Sequence, residues 1–471
     1  MSLRISDMAS IPSVHMRVPV RLLETRIGKV LTDSRELRKG DLFVAFRGKR
    51  SDGHDFIDEA LRRGAVACVV ERRWWRKQAP SMHAAPLIVV KDTIRAYGDI
   101  ARMYRDAHPI PLVGVTGSNG KTATKELIAA VLGRTSTVLY TEGNYNNQIG
   151  LPATLLRLDK THDVVVAEMG TDRPGDIAYL CSIAKPTHGV ITNIGFAHIS
   201  RLRSREGIAE EKGALFATLP DGGIAILDAD EELLLERVPS HLRRITFGSA
   251  ESADVRITGV ELDADAKACV RMEFPGVRRR AVTVSMQAIG RHAAWNAAAA
   301  AAVGLAFHRS PLEIKRALES VPSPSMRMQV ERAGAVTIIN DTYNANPDSM
   351  LAAIDVMRRL HVRGRRIVVL GDMLDLGRHV REEHERIGVA IIDTGITHVF
   401  TFGVHSRAIS IAAREGVQFS KHYTDKGELM SGLVRLLADG DAVLVKGSRK
   451  TRMEEVVDYL TRTFTSGEVR E

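Results

Sequence analysis

Three cysteines in 471 residues, Cys68, Cys181 and Cys269, stand far apart and never in CxxC spacing, so neither a disulfide framework nor a thiolate zinc site is encoded. No apolar run approaches the roughly 18 residues of a membrane span, and Met1 to Val20 carries arginines and a histidine without a continuous apolar segment, so no export or insertion signal is expected. No internal repeat and no low-complexity tract occurs. GxGxxG is missing after every strand-like run, which argues against a dinucleotide site. Basic residues outnumber acidic ones by a formal +9, yet they are spread along the chain in short clusters such as Arg278-Arg-Arg280 and Arg363-Gly-Arg-Arg366. Nucleic acid is therefore not the expected partner; a dispersed positive field instead suits encounter with polyanionic small molecules. What remains, 44% apolar and 26% charged, is the composition of an ordinary soluble protein of the reducing cytoplasm.

The stretch that is present and specific is Gly114-Val-Thr-Gly-Ser-Asn-Gly-Lys-Thr122, entered from the apolar run Pro111-Leu-Val-Gly-Val115 and left through the helix-forming run that begins at Lys121. Backbone N–H groups from Gly117 through Ser118, Asn119, Gly120 and Lys121 to Thr122 can converge on phosphate oxygens only where side chains do not intervene, and the following helix N-terminus adds positive partial charge. Lys121 is expected to reach the β- and γ-phosphates of ATP, and the Thr122 hydroxyl to bind Mg2+. The loop is a variant, since Val115 stands where the first glycine of the usual spacing falls and the glycines are at 114 and 117.

Length predicts about three domains. Residues 1–109 read as a small mixed α/β domain, with strand-like runs at Lys29 to Ser34, Asp41 to Phe46, Ala65 to Val70 and Pro86 to Val90. Ser34 and Arg35, at a strand end, suit a diphosphate. Ala107-His-Pro-Ile-Pro111 punctuates the chain. Residues 110–322 alternate strand and helix, predicting a parallel sheet whose carboxyl edge gathers Thr116, Glu168 and Asn193. Residues 254–289, with alternating runs, predict a small antiparallel appendage, and Ala293 to Ala302 a helix. Residues 323–471 read as a third, Rossmann-like α/β unit, with strands near 337–340, 366–370, 397–400 and 441–445. Glu168 and His198 follow strands and could hold metal; Arg327 could close on a γ-phosphate.

Beyond the glycine loop, Gly143-Asn-Tyr-Asn-Asn-Gln-Ile-Gly150, Glu168-Met-Gly170, Asn193-Ile-Gly-Phe-Ala-His198, Glu211-Lys-Gly213, Gly290-Arg-His292 with Asn296, Asp341-Thr-Tyr-Asn-Ala-Asn-Pro347, Leu370-Gly-Asp-Met373 and Lys446-Gly-Ser-Arg449 together resemble the Mur ligase family. The resemblance covers almost the whole chain. It implies ATP-dependent amide synthesis through an acyl phosphate. Within the family, Tyr343-Asn-Ala-Asn-Pro-Asp-Ser-Met350 is similar to the branch that adds D-alanyl-D-alanine to a UDP-N-acetylmuramoyl-tripeptide; a diamino-acid-adding relative and a P-loop nucleotide switch are the alternatives.

Carried over by resemblance, Lys121 and Thr122 hold phosphate and Mg2+, with two metal sites. Glu168, His198 and a carbamylated Lys212 complete the metal ligands. His292 and Asn296 hold ATP, and Arg327 and Asp341 reach the γ-phosphate and ribose. Ser34, Arg35, Asn144, Asn146 and Asn147 meet the UDP-sugar, while Tyr343, Asn344 and Asn346 lie near the dipeptide. Two positions depart from the family: Met326 stands where glycine is usual, and Ala293 where asparagine is usual. A cytoplasmic monomer that closes about the prolines at 322 and 324 is expected.

Overall fold

The computed structural model describes residues 3–49, 51–78, 84–277 and 281–465; the basic cluster at 278–280 lies outside them. Among the described residues the strands form three sheets. The first, in the order β1-β5-β4-β3-β2, contains β1 (His15–Arg17), β2 (Val30–Leu31), β3 (Leu42–Val44), β4 (Ala67–Glu71) and β5 (Leu87–Val90), with only β1 antiparallel. The strand expected over 29–34 shrinks to two residues, because the Asp33 carboxylate accepts from the Arg35 N–H and turns the chain.

The second sheet comprises β6 (Leu112–Thr116), β7 (Val138–Tyr140), β8 (Val164–Glu168), β9 (His188–Ile191), β10 (Ile224–Asp228), β11 (Arg243–Gly248), β12 (Val255–Leu262), β13 (Lys267–Glu273) and β14 (Ala281–Ile289). Its order is β14-β13-β12-β11-β10-β9-β6-β8-β7. Every residue of β6, β8 and β10 is buried, as strands covered on both faces require. On one face lie helices Asp176–Ala184 and Arg205–Ala217; on the other, helices Lys121–Gly133 and His292–Ala306 pack together. The run of buried alanines from 297 to 302 lets those two backbones approach closely. The antiparallel appendage is built directly onto this sheet. Phe247 and Gly248 of β11 pair in parallel with Val255 and Arg256 of β12, so the hairpins extend the same sheet.

The third sheet comprises β15 (Gln329–Ala333), β16 (Val336–Asp341), β17 (Arg366–Gly371), β18 (His398–Phe402), β19 (Phe419–Tyr423) and β20 (Ala442–Lys446), in the order β15-β16-β20-β17-β18-β19, parallel except for β15. The strand-like runs of the sequence are its interior. Edge strands β15 and β19 carry charged or polar residues and alternate in burial, so backbone pairing rather than hydrophobicity makes them strands. Helix Thr93–Asp106 joins the first two sheets. Tyr104 Oη donates to the Leu158 carbonyl at 2.6 Å, and buried Arg105 donates to the carbonyls of His108, Ala184 and Ile110. Among the described residues no helix is long and apolar enough to cross a membrane.

His188 in β9 stacks on Phe307 at 4.7 Å, and burial, reinforced by Arg243, pushes its imidazole down to about 4. The unfolded chain takes up this proton near pH 6.5, so stability drains away as pH falls from 6.5 toward 4. Replacing His188 by Leu should remove up to about 3 kcal/mol of that acid sensitivity. Urea unfolding at a series of pH values measures it, and identical pH slopes in both proteins would refute the assignment.

Candidate active site

The carboxyl edge of the central sheet carries the site. Thr116 ends β6, and the chain then passes so close to β9 that a Cβ on Gly117 would lie 1.9 Å from Thr192 Oγ1. The loop is pinned from the same side: Asn193 Oδ1 accepts the Asn119 N–H at 2.9 Å, Thr192 Oγ1 donates to the Asn119 carbonyl at 2.6 Å, and the Gly195 N–H donates to Ser118 Oγ at 2.9 Å. Gly120, at φ +79°, opens helix Lys121–Gly133; a Cβ there would meet Asn296 Oδ1 at 2.2 Å. The loop backbone is thereby shaped before any ligand arrives.

Lys121 Nζ folds over this loop and donates to the Gly117 carbonyl at 2.7 Å. Burial lowers its pKa, Glu168 opposes that, and the nearby Arg327 guanidinium lowers it further. Thr122 Oγ1 donates to Glu168 Oε2 at 2.8 Å, while Asn146 Nδ2 donates to Oε1 at 2.7 Å. The Glu168 N–H donates to Thr141 Oγ1 at 3.0 Å, and the fully buried Lys125 donates to the Thr141 carbonyl. A buried carboxylate beside a phosphate-loop hydroxyl is a donor set suited to Mg2+, which takes one or two carboxylates and completes its shell with phosphate and water.

His198 stands seven residues beyond the end of β9 with φ +60°, its Nδ1 3.3 Å from Asp172 Oδ1. Burial is the main cause of its lowered pKa, followed by the charge of Lys121; a neutral imidazole oriented by a carboxylate is the form that binds metal. Lys212, on helix Arg205–Ala217, is 1% exposed rather than solvated as a lysine ordinarily is, and its ammonium makes no hydrogen bond or ion pair with a described residue. Burial, and then repulsion by Lys121, lower its pKa well below normal.

Lys121, Thr122, Asn146, Glu168 and His198 face a cavity of about 1350 Å3 between the second and third sheets, larger than the usual single-ligand pocket, whereas Lys212 lies behind its wall and does not line it. His292 and Asn296, one helical turn apart, line it from the central unit; Arg327, Asp341, Tyr343, Asn344 and Asn346 line it from the C-terminal unit. The Arg327 guanidinium lies 3.9 Å over the Tyr343 ring. Asn147 also lines the cavity, and its Oδ1 caps the next helix by accepting the N–H groups of Ile149 and Gly150. Asn144 borders an adjoining cavity of about 410 Å3 against the 321–327 linker.

Not all the expected residues converge. Ser34 is buried and donates to Glu59 at 3.2 Å, and Arg35, its side chain 80% exposed, pairs with Asp33; neither lines the cleft. Both Asp341 oxygens are engaged, Oδ2 by Lys446 Nζ at 2.5 Å and Oδ1 by the Met328 N–H at 3.1 Å. Asn346 caps helix Pro347–Arg359 and donates to Asn119. Sequence reading passed over Thr192, Asp172, Asp348 and Asp228. Asp228 lines the cleft at the end of β10, where burial raises its carboxyl to about 7; its position on the shared sheet edge was the available signal, but a strand-end aspartate usually marks only a turn.

Residues 26–105 match the Mur ligase family catalytic domain, 115–304 the Mur ligase middle domain and 326–449 the Mur ligase glutamate ligase domain. A UDP-N-acetylmuramoyl-tripeptide–D-alanyl-D-alanine ligase of Bacillus subtilis is 36% identical over 440 residues, covering 93% of this chain and 94% of that protein. The chain belongs to the Mur ligase family. Among solved Mur ligases, MurF of Acinetobacter baumannii superposes with a TM-score of 0.86 at 30% identity, covering 98% of this chain and 99% of that one. MurF ligase of Thermotoga maritima, solved in complex with ADP, superposes at 0.83 and 30% identity over 94% of this chain and 99% of that one.

Met326, where the family resemblance leads one to expect glycine, occupies φ +56° beside Arg327. The left-handed backbone explains the glycine preference and makes this methionine strained by about 1 kcal/mol. Met326→Gly should change unfolding free energy by less than about 1 kcal/mol, relief of strain offsetting lost chain stiffness. Met326→Val should cost about 1–2 kcal/mol, because β-branching suits φ > 0 worst. Equal stabilities of the two variants in chemical denaturation would count against the assignment.

Proposed function

We propose that this chain is an ATP-dependent ligase that joins D-alanyl-D-alanine to a UDP-N-acetylmuramoyl-tripeptide through an acyl phosphate. The observation that carries this reading is the similarity to D-alanyl-D-alanine ligases along 93% of the chain, including the Tyr343–Asn346 stretch that faces the nucleotide loop. In the first step the tripeptide carboxylate attacks the γ-phosphorus of ATP and ADP departs. In the second the dipeptide amine attacks the acyl carbonyl, loses a proton, and phosphate leaves. The division is chemically necessary, since a free carboxylate would have to expel oxide.

The loop N–H groups from Gly117 to Thr122 bind phosphate, Lys121 neutralises the β- and γ-oxygens, and Arg327 brings positive charge from the C-terminal unit. Thr122, Glu168, His198 and a carbamylated Lys212 would hold Mg2+, which screens the charge that accumulates during transfer. His292 and Asn296 orient the nucleotide. Closure of the two units over the cleft would keep water from the acyl phosphate. Ser34 and Arg35, remote from the transferred phosphate, and Asn144, which borders the adjoining cavity with Thr122 and Arg327, are assigned to the UDP-sugar end of the substrate. The enzyme is placed in the cytoplasm as a monomer.

Phosphate release from ATP, measured with UDP-muramoyl tripeptide with and without D-alanyl-D-alanine and paired with mass analysis, tests the reading. Release that requires both substrates and yields the pentapeptide is expected. Release indifferent to the dipeptide would replace it with another amine acceptor or a nucleotide switch.

A further inference from the structure

Two side chains at the start of helix Pro347–Arg359 cross from the C-terminal unit to the nucleotide loops. Asn346 Oδ1 accepts the Ser349 N–H at 2.9 Å, which fixes the amide so that Nδ2 points outward, and Nδ2 donates to Asn119 Oδ1 at 2.8 Å. Two residues on, Asp348 Oδ2 accepts the Phe196 N–H at 2.9 Å. The approach is close enough that a Cβ on Gly195 would lie 2.2 Å from that oxygen. The receiving segments are themselves joined: Ser118 Oγ accepts the Gly195 N–H, and Asn193 holds Asn119. Phosphate loop, post-β9 loop and C-terminal helix thus form one hydrogen-bonded seam, and His198 lies two residues beyond Phe196.

We infer that Asn346 and Asp348 are positioning residues that carry domain closure into the phosphate loop and His198, rather than contacts to the dipeptide. Bonds to a backbone N–H and to a loop amide set where these groups sit, so the seam registers one catalytic wall against the other to within a hydrogen-bond length. The helix cap and the bridge use different atoms of Asn346, so they can be separated. Asn346→Ser keeps a capping oxygen and loses the bridging N–H. Asp348→Ala removes the acceptor, whereas Asp348→Asn retains it and loses only charge.

The inference rests on the ligase reading for its kinetic arm. The N346S/D348A variant should lose 10- to 100-fold in kcat with less than threefold change in KM for any substrate, and D348N should recover to within about threefold of wild type. Hydrogen exchange of the peptide spanning 193–198 should quicken at least fivefold in D348A and not in D348N. A raised dipeptide KM at unchanged kcat would overturn the inference by making Asn346 a substrate contact, as would a D348N loss equal to that of D348A. If wild-type protein ligates nothing, the ligase reading fails, while the exchange arm still decides whether the seam holds the loop.

Discussion

Replacing Lys121 by methionine should lower kcat on the order of 1000-fold or more, with little change in folding. The side chain is matched in length, so what disappears is the charge aimed at the transferring phosphate. That charge is placed in advance: Nζ is held over the loop by the Gly117 carbonyl at 2.7 Å, and a nucleotide needs only to substitute its oxygens for that carbonyl. Because Lys121 is also the principal positive charge acting on Lys212, its removal should raise the Lys212 pKa toward normal. ADP formation in a single turnover, followed together with the thermal midpoint, checks the claim; kcat within tenfold of wild type at unchanged stability would refute it.

Lys212→Met should lose on the order of 100- to 1000-fold in kcat yet gain stability when carbon dioxide and metal are withheld. A side chain that is 1% exposed, in no ion pair, and repelled by Lys121 more than it is helped by Glu211, is expensive as a cation. Its folded pKa lies below the unfolded value near 10.4, so the unfolded chain binds more protons, and the lysine costs stability that is progressively recovered as pH rises toward 10. The methionine variant should therefore unfold at least about 1 kcal/mol later at pH 7 in degassed buffer. In the proposed carbamylation the same deprotonation would free a lone pair to attack carbon dioxide: the N–C bond would form, a proton would depart, and a repelled cation would become an anion able to ligate metal. A carbamate carbon signal from 13C-bicarbonate in wild type and not in the variant is the decisive observation. Full activity after exhaustive removal of bicarbonate would sink the carbamate assignment.

Residues whose role depends on local chain geometry were legible before any coordinates. The glycine loop, Lys121, Thr122 and the strand-end Glu168 follow from a strand, a turn and a helix in sequence. The interior strands of the first and third sheets, and β6, β8, β9 and β10 of the central one, announce themselves by apolar runs, whereas β11 opens on two arginines and was passed over. What sequence could not place is set by pairing across long separations. Edge strands β7, β15 and β19 derive their conformation from a neighbour, and the antiparallel hairpins join the central sheet through two residue pairs that no periodicity encodes. Asn346 and Asp348 lie in a motif whose family association pointed to the dipeptide; the direction of each side chain depends on how one unit docks on another. Ser34 and Arg35 illustrate the converse: expected at a strand end, they open a helical turn at Ser34–Glu36, and their side chains are satisfied by Glu59 and Asp33.

The phosphate loop is also assembled from distant parts of the chain. Thr124, one turn into its helix, donates to Asn296 Oδ1 across 172 residues of sequence, and Asn119 waits for Asn346 across 227. On a ribosome adding roughly 5–20 residues per second, the loop emerges on the order of ten to fifty seconds before the partners that complete it. A nascent chain therefore carries the most recognisable part of an ATP site long before it can grip ATP. Until the helix at 292 has been made the loop lacks its contact to Asn296, and until the helix at 347 it lacks its contact to Asn346.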